Sequence, residues 1–320
     1  MTASVHPAPP FDPEVAPVLE ALRGQMPPTL SPELIPLMRQ APAVPIEDLI
    51  ADRPIRHEER TIPVEGGEVT VSIFTRTDHA PGSPGIFHTH GGGMIIGDRF
   101  TGAPEYLAWV DTLDVVVVSI EYRLAPEHPD PTPIDDCYAG LVRTAEHADE
   151  LGFDPARLVI AGASAGGGLA AGVSLKARDE GGPALAASLL IYPMLDDRNE
   201  TVSSHQIDGI GVWDRGSIDT GWDALLGDRR KTDAVSPYAA PARATDFSGL
   251  PPTFVDCATA EVFRDEDVAY ASAIWAQGGI AELHVWPGGF HGFDLFVPNA
   301  RISIEATAAR VAWLRRVLDL

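Results

Sequence analysis

Ser164 has the sequence surroundings that most clearly indicate chemistry. It lies in the pentapeptide GASAG at 162–166, after an apolar run at 157–161 and before a run of small residues at 169–178. This order predicts a strand, a tight turn and a helix, which is the setting of a nucleophile elbow. Glycines flank such a serine because a Cβ would clash in so tight a turn. The pentapeptide therefore predicts a serine that attacks an acyl carbon.

A second motif, HGGG at 90–93, follows another short apolar strand that includes Ile86 and Phe87. A glycine-rich loop at this place, upstream of an elbow, supplies backbone N–H groups to the oxyanion of an acyl-transfer reaction. The pentapeptide alone is a weak signal. The two motifs in this order are a strong one.

A serine nucleophile needs a base, and in chains of this kind the order is serine, then an acid, then histidine. Three of the ten histidines follow Ser164. His205 lies in a long inserted segment, and His284 lies inside a predicted strand. His291 lies in the glycine-flanked loop at 288–293, just after the last predicted strand. We expect His291 to be the base.

The acid that orients the imidazole should follow the preceding strand, predicted at 253–258. The candidates near that position are Asp256, Glu261, Asp265, Glu266 and Asp267. Asp256 lies within the strand. The carboxylates at 265–267 open a helix, where the helix dipole stabilises them without any catalytic role. Glu261 lies in the loop between strand and helix, so its position favours it, and Asp256 and Asp265 are the alternatives.

The elements that must position these residues alternate along the chain. The predicted strands are 68–76, one that includes 86–87, 114–123, 157–162, 185–192, 253–258 and 281–286, and the predicted helices are 135–148, 165–180, 265–277 and 301–318. The alternation of apolar and polar residues at 68–76 is typical of a half-buried antiparallel strand. The apolar run at 114–123 is typical of a parallel strand buried on both faces. Together they predict a mostly parallel sheet with helices on both faces.

Two segments do not follow this alternation. Residues 196–250 connect two predicted core strands over a far greater length than the usual connection of about 2–6 residues. Residues 1–50 hold eleven of the 29 prolines, but also apolar side chains that favour an arm packed on the body over a disordered tail. We expect both segments of this single domain, 1–320, to form a cap over the carboxyl edge of the sheet, where ligands bind.

The composition excludes several classes of partner. The chain of 320 residues carries a formal net charge of −23, which repels nucleic acid and anionic membrane surfaces. No apolar run approaches the ~20 residues of a membrane span, and no signal peptide is visible, so we expect a cytoplasmic protein. Cys137 and Cys257 lie in apolar stretches and are predicted to be buried free thiols.

Five motifs give the chain a specific resemblance. They are HGGG at 90–93, YRLAPEHP at 122–129, GASAGG at 162–167, RDE at 264–266 and FHGF at 290–293. With these the chain resembles the hormone-sensitive-lipase-like family of bacterial carboxylesterases, within the α/β-hydrolase superfamily. The resemblance implies the α/β-hydrolase fold with a helical cap, and hydrolysis of small-molecule carboxylic esters through an acyl-enzyme. It also implies no cofactor, no metal and a possible homodimer.

The resemblance also implies the oxyanion donors, which would be the N–H groups of Gly92, Gly93 and Ala165, with Gly91 as an alternative. Two residues depart from the family's pattern. Ala163 stands where the family's elbow usually has Asp, which we expect to retune the site without abolishing it. Glu261 stands where the family usually has Asp followed by Pro-Leu. Glutamate can orient an imidazole too, but its extra methylene demands a different backbone placement.

Four other interpretations fit parts of the sequence, and the sequence argues against three of them. The glycines at 162–168 fit a dinucleotide-binding turn, but no tyrosine has the lysine four residues on that a short-chain dehydrogenase needs. His88 and His90 share one strand face, but no further ligand completes a zinc site. A binding module that has lost its catalytic histidine disagrees with the presence of His291. A serine peptidase or amidase on the same fold is the alternative within the hydrolases. We expect short- to medium-chain esters as substrates.

Overall fold

A single twisted sheet organises the computed structural model, which describes residues 7–25, 27–40 and 44–320. Part of the predicted cap segment 1–50, namely residues 1–6, 26 and 41–43, therefore lies outside the described residues. The strands are β1 Ile55–Val64, β2 Gly67–Arg76, β3 Ser83–Thr89, β4 Val116–Glu121, β5 Phe153–Ala163, β6 Ala187–Ile191, β7 Thr253–Ala258 and β8 Ala281–Trp286. Their order in the eight-stranded sheet is β1-β2-β4-β3-β5-β6-β7-β8.

The pairing confirms the predicted mostly parallel sheet. β1 pairs with β2 and β2 with β4 in antiparallel register, and all pairs from β4 through β3 to β8 are parallel. The antiparallel strand predicted at 68–76 is β2. Sequence reasoning missed β1, because the charged residues at 56–60 and Pro63 obscure the alternation of this largely exposed edge strand.

Helices cover both faces of the sheet, as predicted. They are α1 Ala16–Arg23, α2 Ile35–Met38, α3 Ile46–Ile50, α4 Ala103–Leu113, α5 Thr132–Glu146, α6 Ala148–Leu151, α7 Ala165–Glu180, α8 Val202–Gln206, α9 Arg215–Leu226, α10 Arg264–Ala276, α11 Phe293–Phe296 and α12 Arg301–Val317. The sequence did not predict α4. This helix begins after Gly102 without a side-chain cap, so it lacks the usual start signal.

The apolar run of β4 shows how the sheet divides the core. Val116, Val118 and Ile120 pack on one face, together with side chains of α5, α7 and α10. Val117 packs on the opposite face, with side chains of α4 and α12. Because successive residues of a strand point to opposite faces, a strand buried on both sides must be apolar at every position. This accounts for the continuous apolar run seen in the sequence.

The described part of the N-terminal arm packs against the 196–250 segment. The Thr29 hydroxyl donates to Asp214 Oδ2 at 2.6 Å, and the Leu30 amide donates to Ser217 Oγ at 2.8 Å. Ile35 is buried, whereas Leu37 is 64% exposed. The apolar side chains of the arm are therefore buried in part, and Leu37 is not among the buried ones. The arm and the inserted segment touch each other directly.

Cys137 and Cys257 are buried free thiols, as predicted. No helix in the described part of the chain is both long and apolar enough to span a membrane.

Arg310 of α12 is completely buried beneath the carboxyl end of the sheet. Its guanidinium donates to Asp256 at 2.8 Å, to Glu105 at 2.9 Å and to Asp294. The Tyr192 hydroxyl also donates to Asp294, at 3.0 Å. Asp256 and Asp294 are thus buried carboxylates whose charge only this guanidinium offsets within the cluster. Removing the cation would leave them uncompensated.

We therefore expect Arg310→Met to lower the free energy of unfolding by about 3–5 kcal/mol, measured by urea denaturation at pH 7. Arg316→Met is a matched control on the same helix, because Arg316 is 61% exposed and pairs with Glu282 at the surface. The control should cost no more than about 1 kcal/mol. Equal losses in the two variants would show that the buried cluster contributes no special stability.

Candidate active site

Ser164 occupies a strained turn between β5 and α7. Its backbone angles are φ 58° and ψ −124°, a region that residues other than glycine rarely adopt. The Ser164 amide donates to the Ile191 carbonyl at 2.9 Å, and its carbonyl accepts from the amides of Gly168 at 3.0 Å and Met194 at 2.9 Å. These three hydrogen bonds hold the turn against the strain. The turn leaves the serine side chain half-buried at the carboxyl end of the sheet.

The glycines of the pentapeptide are required by close approach. A Cβ on Gly166 would lie 2.0 Å from the Thr89 carbonyl oxygen, and one on Gly162 would lie 2.4 Å from the Gly166 carbonyl oxygen. The start of α7 is therefore pressed directly against the end of β3, where the HGGG loop begins. This contact brings the two sequence motifs together.

His291 lies beside the serine. Its Nε2 is 2.9 Å from Ser164 Oγ, and the residue is 8% exposed. The imidazole is held edge to face by two aromatic rings, Tyr192 at 4.7 Å and Phe263 at 5.0 Å between ring centroids. The loop after β8 carries His291 to this position. The sequence analysis did not identify the two aromatic neighbours, because no local pattern marks residues that meet only in the folded chain.

Glu261 lies on the other side of the imidazole. His291 Nδ1 donates to Glu261 Oε2 at 2.7 Å, and the Ala258 amide donates to Glu261 Oε1 at 2.8 Å. The glutamate is 1% exposed. Its side chain turns back onto the end of β7, which accommodates the extra methylene that glutamate has over aspartate. With the Nδ1 proton donated to Glu261, Nε2 is free to accept the serine proton.

The other candidate acids have different partners. Asp256 Oδ2 accepts from Arg310 and from the Trp286 indole at 3.1 Å. Asp265 accepts from the Ser203 amide at 2.7 Å. Glu266 accepts from the backbone amides at 195 and 196, at 2.7 and 3.2 Å. Of the carboxylates proposed from the sequence, the structure brings Glu261 to His291.

The HGGG loop runs past the nucleophile. A Cβ on Gly91 would lie 3.4 Å from Ser164 Cβ, so the loop backbone passes next to the serine. Gly92 and Gly93 have φ of 115° and 62°. Within the described ranges, the amides of Gly92, Gly93 and Ala165 donate to no group of the protein. These amides are available to an oxygen that carries developing negative charge.

His90 anchors the start of this loop. Its Nδ1 lies 2.8 Å from the Gly91 carbonyl oxygen, and its ring stacks on Tyr122 at 4.1 Å. The Tyr122 hydroxyl donates to the His90 carbonyl at 2.8 Å. Burial lowers the pKa of His90, and it lowers the pKa of His88 to about 3, so both imidazoles are neutral. The YRLAPEHP run thus begins with a residue that supports the loop.

The side chains of Cys257, Glu261 and Asp267 form the one grouping of metal-type ligands found among the described residues, with ligand atoms within 4.8 Å of one another. Glu261 is already hydrogen-bonded to His291 there. His88 and His90 have separate partners, since His88 Nδ1 lies 2.9 Å from Ser119 Oγ. The site therefore brings together a serine hydroxyl, an imidazole, a carboxylate and backbone amides, an arrangement that suits acyl transfer.

Comparison with known proteins finds relatives that share the fold of this chain. A family model described as the α/β hydrolase fold matches residues 86–295. The carboxylesterase NlhH of Mycobacterium tuberculosis is 36% identical over 267 residues, which cover 82% of this chain and 83% of that protein. A solved bacterial heroin esterase is 38% identical with a TM-score of 0.88, over 96% of this chain and 98% of the other. The hyperthermophilic esterase of the archaeon Pyrobaculum calidifontis is 30% identical with a TM-score of 0.85, over 96% and 98%.

Proposed function

Because this chain belongs to the hormone-sensitive-lipase-like family of carboxylesterases with the α/β-hydrolase fold, we propose a role for each residue of its site. The chain is a carboxylic ester hydrolase. Ser164 is the nucleophile, His291 the general base and acid, and Glu261 the carboxylate that orients the imidazole. The amides of Gly92, Gly93 and Ala165 hold the oxyanion.

The reaction has two acyl-transfer steps. Ser164 Oγ attacks the ester carbonyl carbon while its proton passes to His291 Nε2, and the carbonyl oxygen becomes an oxyanion. The tetrahedral intermediate collapses, the alcohol leaves with the proton from the imidazolium, and an acyl-serine ester remains. Water then attacks this ester, again giving a proton to His291. The acid product leaves and Ser164 recovers its proton. No cofactor enters either step.

The observation that carries this proposal is the continuous hydrogen-bond chain from Ser164 Oγ through His291 to Glu261, at 2.9 and 2.7 Å. The relatives named as carboxylesterases favour esters over the amide bonds of the peptidase alternative. Turnover of nitrophenyl acyl esters and of matching acyl anilides by purified protein tests the distinction. A preference for the anilides would overturn the ester assignment.

We further propose that the described part of 1–50 and the segment 196–250 act as the cap of this site. The inserted segment reaches the HGGG loop, because a Cβ on Gly93 would lie only 2.6 Å from the Trp213 ring. The first turns of α9 also touch the loop, since a Cβ on Gly221 would lie 3.0 Å from the Gly93 carbonyl oxygen. We expect a cap in contact with the HGGG loop to close the acyl side of the site and so to limit the length of the acyl chain that fits.

A bounded acyl pocket predicts a preference for short to medium acyl chains. With nitrophenyl esters we expect kcat/KM to rise with length over about two to eight carbons, with ~0.8 kcal/mol per buried methylene until the pocket is full, and then to fall. Steady-state kinetics on a chain-length series measures this. A maximum on long-chain emulsified triglycerides would contradict a closed cap, and it would leave the roles of Ser164 and His291 untouched.

A further inference from the structure

Asp267 is a buried carboxyl group that the mechanism above does not use. It lies in the first turn of α10 and is fully buried. Neither of its oxygens has a hydrogen-bond partner within the part of the chain that the structure describes. Its main-chain amide donates to the Phe263 carbonyl at 3.1 Å, which fixes the backbone. A buried ionised carboxylate without donors is very costly, so this group needs an explanation.

The surroundings of Asp267 are acidic. Its carboxylate, the carboxylate of Glu261 and Cys257 Sγ lie within 4.8 Å of one another. Glu266 and Asp256 are further buried carboxyls that act on it. The neighbouring cation, Arg264, donates to Asp265 and to a backbone carbonyl and so points elsewhere. Burial first, and then the negative charge of Glu261, hold the pKa of Asp267 well above its usual range.

Glu261, in contrast, must remain ionised for the proposed triad to work. Its carboxylate has one donor on each oxygen, the Ala258 amide and His291 Nδ1. A carboxylate has about four lone-pair sites, so in a buried position it can accept further donors. A protonated carboxyl next to it supplies an O–H donor and adds no second negative charge. Two carboxyl groups in this environment are most stable when they share one proton.

We propose that Asp267 is a positioning residue whose neutral carboxylic acid donates its O–H to a bridging water molecule, which in turn donates to the Glu261 carboxylate within 4.8 Å. This bridge supplies a further donor to the Glu261 carboxylate and holds it toward His291 Nδ1. The proposal rests on the role assigned to Glu261. It adds a fourth member to the hydrogen-bond chain Ser164–His291–Glu261, and it gives a reason for the burial of an aspartic acid without other partners.

Two variants of similar size, Asp267→Leu and Asp267→Asn, distinguish whether Asp267 acts as a neutral hydrogen-bond donor or as a negative charge. Asp267→Leu removes the donor, so the Glu261 carboxylate loses a hydrogen bond that stabilises its charged form. We expect kcat to fall about tenfold to a hundredfold, and the acidic limb of the kcat/KM profile to move to higher pH. Asp267→Asn keeps a donor of the same shape without charge. It should restore most of the turnover lost in Asp267→Leu and return the acidic limb to its wild-type position.

Infrared spectroscopy tests the protonation state independently of activity. The wild-type minus Asp267→Asn difference spectrum at pH 7 should contain the carbonyl band of a protonated carboxylic acid. Absence of this band would overturn the proposal. An acidic limb that moves to lower pH in Asp267→Asn would also overturn the proposal. Such a shift would mean that Asp267 carries a negative charge in the wild-type protein, because removing a negative charge destabilises the imidazolium.

Wild-type kinetics in Asp267→Leu would also overturn it, and thermal unfolding shows whether each variant is folded. The infrared band does not depend on the triad, so a failure of the Glu261 assignment appears separately. In that case the band is present while Glu261→Gln keeps its turnover.

Discussion

Replacing Ser164 with alanine is expected to remove nearly all esterase activity and leave the fold intact. The alanine side chain fits the space of the serine, and the three hydrogen bonds that hold the turn are made by backbone atoms and therefore remain. Without Oγ no acyl-enzyme can form. The loss of a triad member in a serine hydrolase costs on the order of 10⁶ in turnover. Initial rates on a nitrophenyl ester, with circular dichroism as the check on folding, measure the effect.

Ser174→Ala, in the helix that follows Ser164, is the matched control. Ser174 is buried in α7 and its hydroxyl donates to the Ala170 carbonyl at 2.8 Å, away from the imidazole. It should keep normal turnover. A fluorophosphonate should label the wild-type protein once, at Ser164, and should not label Ser164→Ala. Because the triad acts as a unit, adding His291→Ala to Ser164→Ala should cost little more. Labelling of another serine would disprove the assignment.

The part of the site that the sequence could predict is the part with local rules. The elbow depends on small residues and a strand–turn–helix order, all within one short stretch, and the helix predicted at 165–180 is α7 with the same bounds. His291 was predicted as the base because a glycine-flanked histidine followed a strand, and the structure places its ring beside Ser164. The parallel sheet then brings the site residues together. The loops after β5, β7 and β8 all emerge at one edge, so residues far apart in the chain meet there.

The part that could not be predicted depends on contacts between distant segments. Tyr192 and Phe263 confine the imidazole from two sides, but neither carries a signal in its own neighbourhood. Asp267 was a candidate acid that its place at a helix start argued against, and its approach to Glu261 could not be foreseen because it needs the fold of the intervening turn. The contact between Trp213 and the HGGG loop likewise joins residues on opposite sides of Ser164 in the chain.

Whether Glu261 is the acid that orients His291 can be tested by mutation. Its carboxylate accepts the Nδ1 proton of His291 at 2.7 Å and so fixes the tautomer with Nε2 facing Ser164. Glu261→Gln keeps the size of the side chain but can present an N–H to Nδ1, which favours the wrong tautomer. The same change of acid to amide costs about 10⁴ in turnover in the worked serine-protease case. We expect Glu261→Gln to lose at least two to three orders of magnitude in kcat, up to about 10⁴.

Two aspartates serve as controls for this prediction, because both were alternatives for the same role. Asp265→Asn removes a carboxylate that accepts from the Ser203 amide at a helix start. It should lower the free energy of unfolding by about 1 kcal/mol and leave kcat nearly unchanged. Asp256→Asn should act mainly through stability as well, because Asp256 is the buried partner of Arg310.

Glu261→Asp retains the charge but shortens the reach by one methylene, so it should keep only part of the wild-type activity. Near-normal turnover in Glu261→Gln, with abolished turnover in a folded Asp265→Asn or Asp256→Asn, would transfer the role of the acid to that aspartate.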